Sequence, residues 1–553
     1  MIGVVSKAGQ AGAVREFFEL FKTPWEFYAP GRSYDVLIAT AEEVPDVAVK
    51  LLVVSGASAK DTTRQGAVRH DAVPQGTVVH DRDRSLPVYG ELLTFAREIE
   101  AVACLTAGSE IAALKVRSSD SLVVHLGYDL FEEVRFLLSA GQPAEHASTP
   151  ALDLHIQLLR EWMLEAELAF FEILPAPAGY SFVACLTHDI DFVGIRRHFL
   201  DHSAWGFLLR ATVGSVRNFV QGRLSFERLL KSWRAAASLP FVYAGWANDF
   251  WEPFPWYLEA EQGLPATYFL IPFKRRAGDK VPGRHASRRA TAYDVTDLAE
   301  WTAVLQERGC ELGVHGIDAW HSEDRGREEL ARLETVTGES ATGIRMHWLL
   351  QDENTPSVLE RAGYVYDSTC GYNETVGYRA GTSQVFRPLE AQTLLELPMH
   401  IQDGALFYPQ RLGLTEAEAL KRCEALIANA QRFGGVLTLL WHDRSHGPER
   451  FWGEFYRTLL HKLKSLDGWF GSAAQVTSWF RQRREVCFER GRDAQVSIVY
   501  AGAEIQPPLN VRVYGAESGQ GTRGCVDLPW SGKPAEELEI RTNRALLPAL
   551  SRS

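Results

Sequence analysis

Short apolar runs alternate with longer segments of helical periodicity between residues 181 and 483. Seven of these runs have the length and residue types of buried strands, at 182–186, 266–271, 311–314, 343–346, 364–366, 394–397 and 436–441. Helical segments separate several of them, at 298–307, 328–335, 357–362 and 417–433. This alternation predicts parallel strands joined by right-handed crossovers, in either a barrel or an open sheet.

The regions on either side of this segment have weaker patterns. Residues 1–80 predict a small α/β domain, and residues 81–180 predict a mixed α/β connecting region. Within the connecting region, 152–171 have the spacing of one long amphipathic helix. Residues 484–553 predict a small β-rich C-terminal module, because apolar runs at 496–500 and 509–514 lie between Gly and Pro turns.

Polar residues of types that can act in catalysis or bind a metal follow the predicted strands of the 181–483 segment, at the point where each strand ends. The set comprises Asp189, Asp191, His315, Arg345, His347, Asp367 and His442. Barrels and open α/β sheets both have their active sites at the carboxyl ends of parallel strands. The repeated placement therefore predicts a catalytic site at this edge of the sheet.

Two carboxylates, Asp189 and Asp191, end the first predicted strand of this segment. They can face the same cavity only where the chain leaves the strand's pleat. Holding them close requires a cation or a shared proton to offset their repulsion. A plain turn, in which aspartate is common, is the alternative interpretation of the pair.

Length and charge limit the classes of function that remain. A chain of 553 residues is too long for one core and predicts two to four domains. The net charge of −12 argues against general nucleic-acid binding. No apolar run approaches the ~20 residues of a membrane span. The N-terminus lacks the pattern of an export signal, and the seven scattered cysteines favour free thiols, so we expect a cytoplasmic protein. The oligomeric state stays open.

Five ordered segments resemble the motifs of the NodB-type polysaccharide deacetylases, carbohydrate esterase family 4. They are Thr187-His-Asp-Ile-Asp191, Glu311-Leu-Gly-Val-His315, Gly343-Ile-Arg345, Leu394-Leu-Glu-Leu-Pro398 and Leu439-Leu-Trp-His442. The D-x-D form is similar to the peptidoglycan-deacetylase-like branch rather than to the usual Asp-Asp-Gly. The resemblance implies a distorted (β/α)7 barrel that uses a divalent metal to remove acyl groups from N-acylated sugars or related amides.

The resemblance also implies a role for each residue of the motifs. Asp189 is the expected general base toward a metal-activated water, and His442 is the expected general acid for the leaving amine. Asp191 and His315 are expected metal ligands, and this donor set suits zinc or a related divalent ion. Arg345 is expected to orient Asp189 and to keep it ionised.

Residues near these motifs are further candidates for the site. His347, Trp348 and Asp367 are candidate substrate-binding residues, with a carbohydrate or N-acyl amide as the expected substrate. Capping of a strand end is an equal alternative for Asp367.

The third metal ligand departs from the family pattern, which places a second histidine four residues after the first. Position 319 is Ala, so the ligand has to come from elsewhere. The candidates are His321, Asp318 and His347. We favour His321, because Gly316 lets the chain bend sharply and could return this side chain toward His315.

Two other functions remain open from the sequence. A catalytically inactive carbohydrate-binding or assembly protein would keep the fold but hold no metal. A glycoside hydrolase would use two carboxylates across a cleft, but it leaves His315 and His442 without roles. A fold alone cannot choose between these functions.

Overall fold

The computed structural model describes residues 1–41, 43–56, 68–71, 76–81, 84–95, 101–118, 120–281, 283, 286–491, 495–517, 523–532 and 538–540. The part of the predicted C-terminal module beyond residue 540 lies outside the described residues. No described helix combines the length and the apolar character that crossing a bilayer requires.

The first layer is a mixed sheet built from the N-terminal strands. These are β1 (Ile2–Val5), β2 (Trp25–Phe27), β3 (Val36–Ala39), β4 (Leu51–Ser55), β5 (Val68–His70), β6 (Thr77–Asp81), β7 (Arg84–Val88), β8 (Leu92–Thr94), β9 (Val102–Ala107), β10 (Glu110–Arg117) and β11 (Leu122–Leu126). The sheet has the order β2-β1-β3-β4-β11-β10-β9-β6-β7, and β5 pairs separately with β8. The boundary that we predicted at residue 80 falls inside β6, and described residues on both sides of it belong to one sheet.

Three helices accompany this sheet: α1 (Ala11–Phe21), α2 (Leu130–Ser139) and α3 (Ala151–Glu165). The predicted helix at 152–171 is too long. Glu167 takes a left-handed backbone conformation (φ 54°), which interrupts the helix. The apolar residues that follow form strand β12 (Phe170–Pro177) instead.

The second large sheet contains the predicted strands of the 181–483 segment. Its members are β13 (Phe182–Ile190), β14 (Ala266–Leu270), β15 (Glu311–Gly316), β16 (Gly343–Met346), β17 (Tyr366–Asp367), β18 (Leu395–Glu396), β19 (Ile401–Gln402), β20 (Val436–Leu440) and β21 (Gly468–Phe470). The order is β18-β17-β16-β15-β14-β13-β20-β19, with β21 beside β13, and every pairing is parallel. This curled parallel sheet is the predicted distorted barrel.

Helices lie between the strands of this segment. They are α4 (His202–Leu209), α5 (Ser215–Val220), α6 (Phe226–Tyr243), α7 (Phe254–Ala260), α8 (Ala299–Glu307), α9 (Glu323–Thr337), α10 (Thr355–Ala362), α11 (Asp403–Phe407), α12 (Glu416–Phe433), α13 (Trp452–Lys464) and α14 (Ala473–Glu485). All nine residues of β13 are buried, as expected for a central parallel strand covered on both faces. The position of β13 fixes Asp189 and Asp191 at one edge of the sheet.

A helical hairpin, α4–α6, is inserted between β13 and β14. A π-helical turn at Arg210–Gly214 joins α4 to α5. The inner face packs Phe207 and Ala211 against Trp251. The outer face leaves Trp205, Leu209, Val213 and Val220 60–79% exposed, at intervals of four and seven residues. The hairpin therefore has a second apolar stripe that no described residue covers.

The C-terminal strands join the rest of the molecule through β12. They are β22 (Cys487–Arg490), β23 (Val496–Val499), β24 (Leu509–Glu517), β25 (Arg523–Trp530) and β26 (Leu538–Ile540). Strand β24 lies between β12 and β25 in a three-stranded antiparallel sheet, and β22, β23 and β26 form another. The described residues of the C-terminal segment form these two sheets, and one strand of the first sheet comes from before the barrel.

Candidate metal centre and active site

One cavity of about 690 Å³ opens at the carboxyl ends of the barrel strands. Asp189, Asp191, His315 and His442 all line it, as the sequence pattern predicted, and His347 lines it too. Asp189 ends β13 and His315 lies in β15, while His442 follows β20. The parallel register brings these three strands' ends to the same edge of the sheet.

Asp191, His315 and His347 form a group that could hold a metal ion. The Oδ1 atom of Asp191 lies 3.3 Å from His315 Nε2 and 3.2 Å from His347 Nδ1. The two ring nitrogens are themselves 2.9 Å apart. One carboxylate oxygen and two imidazole nitrogens therefore converge on a single point.

Two details of this group fit a metal rather than a closed hydrogen-bond network. The buried Asp191 Oδ1 atom has no hydrogen-bond partner among the described residues. His315 donates from Nδ1 to the carbonyl oxygen of Arg345 (2.9 Å), which leaves the lone pair of its Nε2 atom facing the cavity. A ring fixed in this way by a backbone carbonyl is typical of metal-binding histidines.

The protonation states of the group suit a cation as well. Burial lowers the pKa of His347 to about 4, so its imidazole is neutral near pH 7. Burial acts to raise the pKa of Asp191, but His347 and His315 hold it well below its ordinary value. A neutral imidazole and an ionised carboxylate are the states that bind zinc and related divalent ions.

The preference for His321 as third ligand is wrong, because the loop after β15 is tied down elsewhere. The buried Glu329 carboxylate accepts from the backbone N–H groups of Ile317 and Asp318. This contact holds the chain away from the cavity, and His321 instead lies 3.1 Å from Asp318 Oδ1. Neither His321 nor Asp318 belongs to the metal-binding group or lines the cavity.

His347 takes the third position because it leaves the strand next to His315. The β15–β16 register pairs His315 with Arg345, two residues before His347. Trp348 and Leu349 then take left-handed backbone conformations, with φ of 64° and 54°. Positive φ at two consecutive bulky residues is strained and turns the chain sharply at the site.

Asp189 is held by the buried guanidinium of Arg345. Arg345 Nη1 donates to Asp189 Oδ1 (3.0 Å) and to Thr187 Oγ1 (2.8 Å), and its Nε donates to the carbonyl of Ser368. The guanidinium also lies 4.6 Å from the ring centre of Phe269. These contacts fix the orientation of one carboxylate oxygen of Asp189 and leave Oδ2 3.8 Å from His315 Nε2.

His442 is paired with Asp403, a residue that the sequence pattern missed. The Asp403 carboxylate accepts from His442 Nδ1 (2.6 Å), from the His442 backbone N–H (2.8 Å) and from the Ser445 hydroxyl. Burial acts to lower the pKa of His442, but the Asp403 charge and hydrogen bond raise it to about 10. The signal available in the sequence was its position directly after β19, a two-residue strand that was not predicted.

The predicted substrate-binding residues have different positions. Trp348 lines the cavity and is 38% exposed. Asp367 does not line it: the side chain is buried and accepts a hydrogen bond from Thr369 Oγ1 (2.5 Å). Its assignment to substrate binding is therefore wrong, and it supports the end of β17.

No family model matches the sequence, and a comparison with curated proteins finds no match. Solved structures with a similar shape include a candidate polysaccharide deacetylase from Mycobacterium smegmatis, with 19% identity, 56% of this chain and 95% of that chain covered, and a TM-score of 0.35. Puue allantoinase has 15% identity, 55% and 92% coverage and a TM-score of 0.34. Agd3, a novel carbohydrate deacetylase, has 10% identity, 99% coverage of both chains and a TM-score of 0.37.

The sequence motifs lie at strand ends of the barrel. The first motif ends β13, the second lies in β15, the third in β16 and the last follows β20. The parallel register of these strands brings the motif residues to one cavity. With these motifs and this strand order, residues 181–483 have the barrel fold of the NodB-type deacetylases in a divergent form.

Proposed function

We propose that this protein is a metal-dependent hydrolase that removes an acyl group from an N-acylated sugar or a related amide. The supporting observation is the arrangement within one cavity: a three-residue metal-binding group lies beside a carboxylate held by Arg345 and an imidazole held by Asp403. Asp191, His315 and His347 would hold the ion, and their donor atoms suit zinc or a related divalent ion.

A bound divalent metal in such a site polarises the acyl carbonyl and lowers the pKa of water. Asp189 accepts the proton of the attacking water, since Arg345 keeps the carboxylate oriented. The carbon–nitrogen bond breaks as the carbon–oxygen bond forms. His442 then gives its proton to the departing nitrogen.

Asp403 keeps His442 ready for this transfer. The imidazole is charged near pH 7 because the adjacent carboxylate raises its pKa to about 10. An acid with this pKa protonates an amine whose basicity in water is similar. Asp403 has no position in the cavity lining and acts on the reaction through His442.

The test combines metal content with acetate release. Purified protein is assayed on N-acetylglucosamine and N-acetylgalactosamine oligomers before chelation, after chelation and after zinc is restored. We expect activity to disappear with the metal and to return with it. Undiminished acetate release from metal-free protein would contradict the proposal.

The Asp189→Asn variant distinguishes metal binding from general base catalysis. It should retain the metal at the wild-type ratio and lose activity by about 100-fold or more, because general base catalysis typically contributes that much. Loss of the metal together with activity would instead place Asp189 among the ligands. A wild-type protein that binds these sugars but releases no acetate would favour the inactive carbohydrate-binding protein.

A further inference from the structure

Five arginines of the active-site cavity have no acceptor for their guanidinium groups. Arg275, Arg288, Arg411, Arg444 and Arg450 line the cavity. Across the described residues, none of these five side chains makes a hydrogen bond or an ion pair with another residue. Other arginines have such partners: Arg289 of the same cavity donates to the carbonyl oxygen of His347, and Arg345 donates to Asp189. The cavity thus presents unsatisfied donors in a protein whose net charge is −12.

The carboxylates of the same cavity do not neutralise these arginines. Asp189 is bound by Arg345, and Asp191 faces the two histidines. Asp201 caps α4 and lies 2.7 Å from His198, while Asp443 accepts from the backbone of Phe192 and Val193. The charges of Asp443 and Glu449 offset part of the positive charge of Arg444 and Arg450, but no carboxylate gives either guanidinium a hydrogen bond within the described residues.

Three of the arginines are held on aromatic rings beside the proposed general acid. The guanidinium carbons of Arg411 and Arg450 lie 5.4 and 5.1 Å from the ring centre of Tyr408. That of Arg444 lies 3.4 Å from the ring centre of Phe192. Burial acts to raise the pKa of Tyr408, but Arg450, Arg444 and His442 lower it below its ordinary value. These groups therefore share one strongly positive part of the cavity.

For Arg411 and Arg444 this arrangement is unfavourable without an anion, because burial lowers the pKa of each guanidinium. Guanidinium groups that are close together and removed from water repel one another, and ring contacts offset only part of that cost. The Nε atom of Arg444 is buried and has no partner among the described residues. An oxyanion offers each guanidinium the two-point hydrogen bond that it lacks. The rings hold the donors in place in advance, which reduces the entropy lost on binding.

We propose that the substrate carries an oxyanion, a carboxylate or a phosphate, on or next to the N-acylated sugar, and that Arg411, Arg444 and Arg450 bind it. This inference rests on the proposed function for its reaction. It adds the substrate class: anionic N-acyl sugars rather than neutral ones. The subsite shares its cavity with His442, the proposed general acid.

The first test uses three probe sugars that share an N-acetyl group and differ in charge. N-acetylglucosamine is neutral, N-acetylmuramic acid adds a carboxylate and N-acetylglucosamine 6-phosphate adds a phosphate. Their affinities for the Asp189→Asn protein, which should not turn them over, are measured by calorimetry. We expect at least one anionic sugar to bind about 10- to 100-fold more tightly than the neutral sugar, as for a hydrogen bond to a charged group. The tighter of the two anions identifies the source of the oxyanion.

Variants then assign the preference to the three arginines. Arg450→Gln and Arg444→Gln should each reduce the preference for the anionic sugar about tenfold, and Arg450→Lys should restore part of it. Arg432→Gln is the matched control, because Arg432 also lies over a ring, that of Phe433, but outside the cavity. It should leave all three affinities unchanged. A further test needs no variant. Raising the salt concentration should weaken the binding of only the anionic sugars to the wild-type protein.

The outcomes separate this inference from the proposed function. Equal affinity for the neutral and both anionic sugars overturns the subsite, even where the enzyme releases acetate from neutral oligomers. A preference that survives in the Arg444→Gln, Arg450→Gln double variant overturns it as well. Tight binding of an anionic sugar without any acetate release supports the subsite and contradicts the deacylase.

Discussion

At the scale of single residues, the site combines a candidate metal ligand that the family pattern does not provide, His347, with a proposed general acid, His442, whose pKa Asp403 raises. Ala319 stands where a histidine is usual, and His347 from the neighbouring strand supplies the imidazole. The imidazole of His347 approaches Asp191 and His315 from a different strand, so the cavity still contains one carboxylate and two imidazoles. The loop after β15 is held by Glu329 instead.

The substitution His347→Ala should therefore remove the metal. Loss of a residue that only supports a ligand costs about 10- to 100-fold in affinity, so loss of a ligand itself should cost more than about 100-fold. Competition for zinc against a chromophoric chelator measures the change. His321→Ala is the control and should stay within about twofold of wild type, because His321 contacts Asp318 and not the group. Equal losses in both variants would contradict the assignment.

The pH dependence should identify Asp403 as the residue that keeps His442 charged. The pKa of His442 in the folded protein is about 10, above its ordinary value near 6.5. The stability from the pair is therefore fully present below about pH 6.5 and is lost as pH rises through 10. In the proposed mechanism the protonated form of His442 is the general acid, so the alkaline limb of kcat/KM in the wild type should also follow a group with a high pKa.

In Asp403→Asn the carboxylate no longer offsets burial, and burial alone lowers the pKa of a histidine. The alkaline limb of the kcat/KM profile should move to lower pH, while metal content stays unchanged. A profile that keeps its alkaline limb in the variant would show that another group is the acid.

The sequence predicted the strand-end residues because their placement depends on local periodicity. Asp189, Asp191, His315 and His442 needed only a correct strand pattern to converge. The choice between His321 and His347 depended on Glu329, whose contact with the backbone of residues 317 and 318 cannot be read from spacing. Asp403 was missed for a similar reason, since β19 is only two residues long and gives no periodic signal.

At the scale of secondary-structure elements, the hairpin α4–α6 has two apolar faces with different roles. Phe207 is fully buried on the inner face, whereas Leu209 and Val213 are more than 60% exposed on the outer face. Replacing Leu209 and Val213 with Ser should therefore change the free energy of unfolding by less than about 1 kcal/mol, since exposed positions contribute little.

The same double substitution should clearly reduce the binding of a hydrophobic dye to the native protein, because contiguous exposed apolar surface is what such dyes detect. Phe207→Ala is the matched control on the inner face and should cost about 3–5 kcal/mol of stability in denaturant unfolding. A large stability loss in the Leu209, Val213 variant would show that the outer stripe is covered by part of the chain.

At the scale of the whole molecule, Arg483 connects three parts of the structure. It lies near the end of α14, is fully buried, and donates to the carbonyl oxygens of Glu19 and Leu20 in α1 and of Ile173 and Leu174 in β12. The carbonyls at the end of α1 have no partners within the helix, so a cation is favourable there. One side chain thus joins the barrel to the N-terminal layer.

Arg483→Met should lower the free energy of unfolding by about 3 kcal/mol or more, since several buried acceptors lose their donor. Denaturant unfolding followed by tryptophan fluorescence measures the loss. Arg481→Met on the same helix is the control: its hydrogen bonds to Thr393 and Val365 are exposed, and the expected cost is below about 1 kcal/mol. Equal losses of unfolding free energy in both variants would show that the burial of Arg483 does not contribute to stability.

The barrel could be predicted from the sequence, but the domain boundaries could not. Alternating β and α segments specify a parallel sheet from local pattern alone. The N-terminal sheet instead depends on pairings such as β11 with β4 and β6 with β9, which join distant segments of the chain. The predicted helix at 152–171 included the first two residues of β12, because Phe170 and Phe171 continue the apolar spacing of α3, whereas in the structure they pair with β24.

The pairing of β12 with β24 has a consequence for the order in which the protein is made. The Tyr514 hydroxyl donates to Glu172, 342 residues earlier in the chain. At the usual rates of synthesis, β12 leaves the ribosome roughly 20 to 70 seconds before its partner exists. During this interval an unpaired strand edge is open to wrong partners. Until translation is almost complete, β12 is held by segments made before it, such as those of Lys22, Thr23 and Arg160, and the edge that β24 later pairs with stays open.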